Sequence, residues 1–285
     1  MSPRATRTPR RRAGHVKRPR PSLRRRIGAV LPRLGRLLAL VVLALLGAGL
    51  VVLVNGPWLR VGRVAWAGQH YTAPSELERA TSQLHGDRLL TMDLTALRAE
   101  LERLPAVSEA SVQAQLPDTV TITLTEKVPA FIWQTSVVRL IGAADGTLIG
   151  QVALADALPD ELATLPLVDD QRAASRSMAV GARVNAAVLA TALRLAALDP
   201  ARLGSTATGF GVNLDDEHGF VLVARGAPWQ AALGNDRVDP AEDPSHSADQ
   251  IEAQLAGIRT LLAMQPEDQV SWIDVRNPGK VYWRP

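Results

Sequence analysis

The sequence predicts an α+β protein with a single N-terminal transmembrane helix, a first module of order β-α-α-β-β, and a β-rich second domain carrying helices. Three observations lead there. Residues 37–54 (LLALVVLALLGAGLVVLV) contain no charged or polar side chain. Residues 59–126 alternate strand and helix signals in that order, and the remainder breaks into short apolar runs separated by turn residues. The composition suits packed domains: 47% of the 285 residues are hydrophobic and 21% charged, which excludes collagen, coiled-coil and disordered classes.

The net charge of +4 conceals a polarity along the chain. Residues 1–36 hold 13 Arg or Lys and no acid, leaving 19 basic residues against 28 acidic ones in the rest. The high pI therefore describes a tail, and no nucleic-acid-binding surface is expected on the acidic remainder. Residues 1–36 are too charged and too poor in large apolar side chains to offset their ordering entropy, so a disordered basic cytoplasmic tail is expected. The absence of Cys removes disulfides, thiolate metal sites and Cys nucleophiles together.

At ~1.5 Å per residue, residues 37–54 give about 27 Å of helix, close to the ~30 Å hydrocarbon core of a bilayer. A buried soluble helix is the plain alternative, but such helices are rarely apolar on every face over this length. A cleaved signal peptide is the other. Its apolar region is usually shorter, and the small-x-small match Ala65-Trp66-Ala67 lies well past the span. The basic residues precede the span, which predicts a cytoplasmic N-terminus and an extracytoplasmic remainder after Asn55. Ala44 and Ala48, with Gly47 and Gly49 nearby, would suit a helix-packing face, as would ordinary membrane-helix composition.

Beyond the span, Pro57 and Trp58 suit the membrane interface. Residues 59–66 (LRVGRVAW) read as a strand closed by Gly68, and Ser75 with Glu78 has capping-box spacing for a helix over 75–84. A second helix starts at Asp93 as N-cap, with Leu94, Leu97, Leu101 and Leu104 on one face and Pro105 behind it. Residues 107–115 and 119–126 are strands joined through Leu116-Pro117-Asp118, the second alternating Val120, Ile122 and Leu124 with Thr. Residues 137–149 form a hairpin about Asp145-Gly146. Residues 185–198 are a helix with Val188, Leu195 and Leu198 on one side, and two strands flank the acidic turn 215–219. A polar, mobile loop is expected over 234–249. A helix bearing Ile251, Leu255, Ile258 and Leu262 follows, then strands over 270–275 and 280–283 around Asn277-Pro278-Gly279.

In this order, Gly68, Ser75, Leu104-Pro105, Val107, Pro117, Glu126-Lys127-Val128-Pro129 and Trp133 resemble the POTRA domain of the FtsQ/DivIB family of bacterial cell-division proteins. Gln69 stands where Asn is usual and Ala106 where Trp is usual. The second domain resembles the β domain of the same family: Leu165-Pro166-Leu167-Val168 precedes Asp169-Asp170 where a glycine is expected, and Ile273-Asp274-Val275-Arg276 with Val281-Tyr282-Trp283 is similar to its closing hairpin. The resemblance covers about residues 24–285 and divides the chain into a tail (1–36), a span (37–54), a POTRA domain (58–128) and a β domain (129–285).

What it implies is a non-enzymatic scaffold at the division septum, linking its partners to septal peptidoglycan synthesis. Those partners would be FtsB/DivIC-like and FtsL-like membrane proteins at the distal β edge, and other division proteins at the POTRA domain. The residues expected to bind are Arg276, before the final turn, and Val281, Tyr282 and Trp283, on a last strand whose free backbone groups can pair with another chain. The aromatic pair could equally cover its own core. The alternative from another class is a membrane-anchored extracytoplasmic peptidase or cell-wall hydrolase. Against it, His15, His70, His85, His218 and His246 form no zincin spacing, and no nucleophile elbow, P-loop or dinucleotide fingerprint occurs. Asp215, Asp216 and Glu217 read as a solvated hairpin tip. No catalytic, cofactor or metal residue is therefore expected.

Overall fold

The computed structural model describes residues 23–84, 86–234 and 244–285. Its first unit holds a single helix, α1 (Leu23–Asn55). The window Gly35–Val52 has a mean hydropathy of 2.4 and buries nothing within the chain, as a bilayer-spanning helix requires. The helix starts well before residue 37, so residues 23–36, expected to be disordered, are helical. Arg, Leu and Ala are strong helix formers, and extending an existing helix costs far less than nucleating one. The rest of the basic tail, 1–22, lies outside the described residues.

The second unit begins at Trp58. After a 3₁₀ turn (Pro57–Leu59) come β1 (Arg63–Ala67), α2 (Pro74–Thr81), α3 (Leu94–Leu101), β2 (Val107–Gln115) and β3 (Thr119–Glu126). They form a three-stranded sheet of order β1-β3-β2, with β1 parallel and β2 antiparallel to β3. Strand β1 is shorter than its apolar pattern, because residues 57–59 are helical. The Ser75 capping box does not form: Ala73 is the N-cap and Pro74, with φ preset for a first helical position, starts α2. Asp93 does cap α3, its Oδ1 accepting from the Thr95 and Ala96 amides at 3.0 and 2.9 Å. Leu77, Leu97, Leu101, Val120, Ile122 and Leu124 fill the core between the helices and one sheet face.

The larger sheet is nine-stranded, of order β12-β11-β10-β9-β8-β7-β4-β5-β6. Its strands are β4 (Pro129–Thr135), β5 (Val138–Ala143), β6 (Leu148–Ala153), β7 (Leu167–Asp170), β8 (Gly209–Asp215), β9 (Gly219–Arg225), β10 (Gln230–Gly234), β11 (Trp272–Asp274) and β12 (Tyr282–Arg284). Helices α4 (Asp160–Ala163), α5 (Ala186–Ala196) and α6 (Pro244–Met264) intervene. The hairpin at Asp145-Gly146 forms, with only Gly146 at positive φ. Asn185 caps α5 through its Oδ1. Of the loop expected over 234–249, residues 244–249 are the first part of α6, and 235–243 lie outside the described residues. Ile251, Leu255 and Ile258 of α6 enter the main core with Phe131, Trp133, Leu195, Leu222, Trp229 and Ile273.

The Glu126-Lys127-Val128-Pro129 segment joins the two sheets, and its first two side chains act in opposite directions. Glu126 accepts from the backbone amides of His70, Tyr71 and Thr72 at 2.7–2.8 Å and from the Thr72 hydroxyl, closing the loop that leads into α2. Lys127 reaches forward to Asp145 at 3.0 Å, on the β5–β6 turn. A separate apolar cluster lies beside them: Ala106 packs with Ile132, Ile141, Ile149 and Leu162, and Tyr71 leans on it.

Candidate partner-binding site

Strand β12 is the last strand in the order of the large sheet, paired on one side only, with Trp272↔Arg284, Ile273↔Trp283 and Asp274↔Tyr282 in register with β11. Its other edge faces no strand among the described residues. Strand alternation divides its side chains between the two faces. Tyr282 and Arg284 lie on the face of Trp272 and Asp274. Val281 and Trp283 lie on the face of Ile273, toward α6.

On the first face the edge is braced by ions and rings. The guanidinium of Arg276 grips Asp274 through Nε and Nη2 at 2.7–3.1 Å, and its Nη1 donates to the Glu217 carbonyl at 3.1 Å. The grip holds the Asp274 carboxyl below the usual carboxylate range, more than offsetting the opposing effect of burial. The His218 ring meets Trp272 edge-on at 4.9 Å, and Arg284 lies 5.9 Å from the indole centroid. The acidic tip 215–217 is a turn built on its own backbone: Asp215 Oδ1 accepts from the Glu217 and His218 amides. Among the described residues no group of three His, Cys, Asp or Glu side chains is arranged to hold a metal.

On the second face a groove of about 760 Å³ runs between α6 and residues 275–283. Leu261, Met264, Val281 and Trp283 give it apolar walls, and Gly257 brings the α6 backbone close: a Cβ there would stand 3.0 Å from Val281. Gln254 lines it too. Its amide donates to the Leu233 and Val275 carbonyls, while its buried Oε1 has no partner.

The four residues expected to bind thus differ in situation. Tyr282 and Trp283 are exposed by 50% and 38%. Val281 packs against the core, and the hydrogen-bonding nitrogens of Arg276 are spent inside the chain. Sequence reasoning missed Gly257, Leu261 and Met264. They border the Ile251, Leu255, Ile258 stripe on one flank of α6, where Leu261 also packs against the main core, and nothing local marks that flank as a wall.

The family model for the FtsQ-type POTRA domain matches residues 59–127, the three-stranded module. Cell division protein FtsQ of Streptomyces coelicolor is 33% identical over 106 residues, covering 36% of this chain and 40% of that protein. Residues 59–127 thus form a POTRA domain of the FtsQ type. The chain's similarity to FtsQ extends to Corynebacterium glutamicum (34% over 90 residues; 32% of this chain, 39% of the relative) and Vibrio cholerae (30% over 100 residues; 33% and 38%). The matched stretch spans about two fifths of the length of these relatives.

Proposed function

We propose that the chain is a non-enzymatic, membrane-anchored scaffold of the bacterial division machinery, with the N-terminus cytoplasmic and the POTRA and β domains outside, concentrated at the septum. The edge of β12 adds a strand from an FtsB/DivIC-like partner that travels with an FtsL-like protein. The POTRA domain meets other division proteins, and the assembly is thereby linked to septal peptidoglycan synthesis. The observation that carries this reading is the unpaired outer edge of β12 beside two exposed aromatic side chains. Strand addition draws affinity from backbone hydrogen bonds and specificity from side-chain pockets, and the α6 groove, with an unpartnered acceptor at Gln254, supplies such a pocket.

The test is co-purification of full-length chain and an FtsB/DivIC-like partner, comparing the native protein with Tyr282→Lys/Trp283→Lys. Both side chains are exposed, so the variant should melt within a few degrees of the native protein while losing the partner. Undiminished capture by the folded variant would sink the edge proposal. Reporter fusions after Asn55 test the orientation: activity confined to the cytoplasm would reverse it.

A further inference from the structure

Three loops meet at the end of the POTRA domain that the chain enters from α1. The Leu89 amide donates to the Leu59 carbonyl at 2.9 Å, and the Gly62 and Arg63 amides both donate to the Asp118 carbonyl at 2.8 and 3.2 Å. Each loop carries an exposed large apolar residue: Trp58, Leu90 and Leu116, exposed by 60%, 52% and 67%. None of the three joins a core cluster of the domain. The same pairing makes Arg60 and Arg88 direct antiparallel neighbours. Like charges in directly opposed positions repel, and neither guanidinium has an ion-pair partner among the described residues. Asp87, Asp93 and Glu100 line the same hollow as the two arginines, but none of them, nor Asp118, forms an ion pair with either.

The position of these loops along the chain selects the occupant. Only Gly56 and Pro57 separate Asn55, the end of α1, from Trp58, three peptide steps with a reach of about 10 Å when extended. An indole, two leucines and two cations without a direct ion-pair partner, held that near a membrane span, match what an interface of acyl chains beneath anionic headgroups attracts. We infer that this end of the POTRA domain is a second, peripheral membrane contact. In it Trp58, Leu90 and Leu116 dip into the interface, and Arg60 and Arg88 share an anionic lipid headgroup between them. The contact would fix the tilt of the domain above the bilayer, which a bare tether leaves free. It does not depend on the partner-binding reading of β12.

The absence of native Cys makes single-site labelling clean. The test is Leu90→Cys carrying an environment-sensitive fluorophore, in the full chain reconstituted into phosphatidylcholine vesicles with and without phosphatidylglycerol. Ser108→Cys, at the far end of β2, serves as an aqueous control. The expected result is a blue shift and severalfold protection from an aqueous quencher at position 90 only, larger when phosphatidylglycerol is present. In the background Arg60→Glu/Arg88→Glu the phosphatidylglycerol increment should vanish, with the melting temperature unchanged. A water-exposed label at position 90 in both vesicles would overturn the contact. Equal protection in both, unaffected by the Arg substitutions, would overturn the headgroup assignment. To separate a disrupted fold from a lost contact, Trp58→Ser/Leu116→Ser, which alters exposed side chains only, should give the same loss of protection.

Discussion

The indole N–H of Trp133 donates to Asp170 Oδ2 across 3.2 Å, and neither side chain has any solvent-accessible surface. The carboxylate is also gripped by Arg172, through Nε at 2.8 Å and Nη2 at 2.7 Å, which raises the Arg172 pKa further. The two ends of this network are not equivalent. Removing Asp170 leaves a guanidinium that can turn to water, and the Trp133 indole N–H and the Arg172 amide without their acceptor, costing about 1–3 kcal/mol. Removing Arg172 strands a fully buried charge, costing about 3–5 kcal/mol. In urea unfolding at neutral pH, Arg172→Ala should therefore be more damaging than Asp170→Ala, and Asp170→Asn, which keeps an acceptor for Trp133, the mildest. A milder Arg172→Ala would show that the carboxylate is not held as a buried ion.

That network also marks where sequence reading stops. The span, the Asp93 cap, β2, β3 and the buried stripe of α6 depend on residues within about one or two turns of each other, and the sequence pattern identifies them. Asp170 reads as one of two acids where a glycine is expected, and its partner Trp133 is 37 positions away. Strand β10, Gln-Ala-Ala-Leu-Gly, has little strand propensity of its own. It is a strand because β9 and β11 flank it, an instance of tertiary context overriding local preference. At the β12 edge the aromatic pair is legible, but the inward commitments of Arg276 and Val281 depend on contacts with Glu217 and Gly257 that no spacing rule reports.

Glu267 gives the fold a pH dependence. Burial alone would push its carboxyl up, but hydrogen bonds from Ser205, the Thr206 hydroxyl and amide, and the Trp229 indole override this and hold it at about 2, against 4.5 for the free group. A lowered folded-state pKa means stability that is present above 4.5 and lost as pH falls toward 2. Melting temperatures of native protein and Glu267→Gln should differ most at neutral pH and converge through that window. A difference that stays constant down to pH 2 would mean the contribution is packing and not ionisation.

Two glycines are required for different reasons, and the difference is measurable. At Gly142 a Cβ would stand 2.1 Å from the ring of Phe131, a fully buried side chain that lies across it. Gly142→Ala should cost about 1–3 kcal/mol by overpacking, and Phe131→Leu in the same chain should recover part of it as a non-additive coupling. At Gly68 the obstacle is the Leu124 carbonyl, 2.0 Å away, and φ is +83°. No side-chain truncation can move a carbonyl in the middle of β3, so Gly68→Ala should have no such rescue.

The Glu126-Lys127 pair predicts a separation between the integrity of the POTRA domain and its junction with the β domain. Glu126 collects three backbone amides and a hydroxyl, so Glu126→Ala should leave those donors to water and open the loop before α2. Amide exchange at residues 70–72 should accelerate by at least tenfold, with little change in β5 and β6. Lys127 makes a partly exposed ion pair with Asp145, which belongs to the class typically contributing no more than about 1 kcal/mol. Burial alone would raise the Asp145 carboxyl, yet its bonds to Lys127 and Thr147 hold it at about 2. Lys127→Ala should therefore leave the melting temperature nearly unchanged, and its effect on exchange should appear at the β5–β6 turn and not at residues 70–72. Faster exchange at 70–72 in Lys127→Ala would show that the two halves of the segment act as one unit.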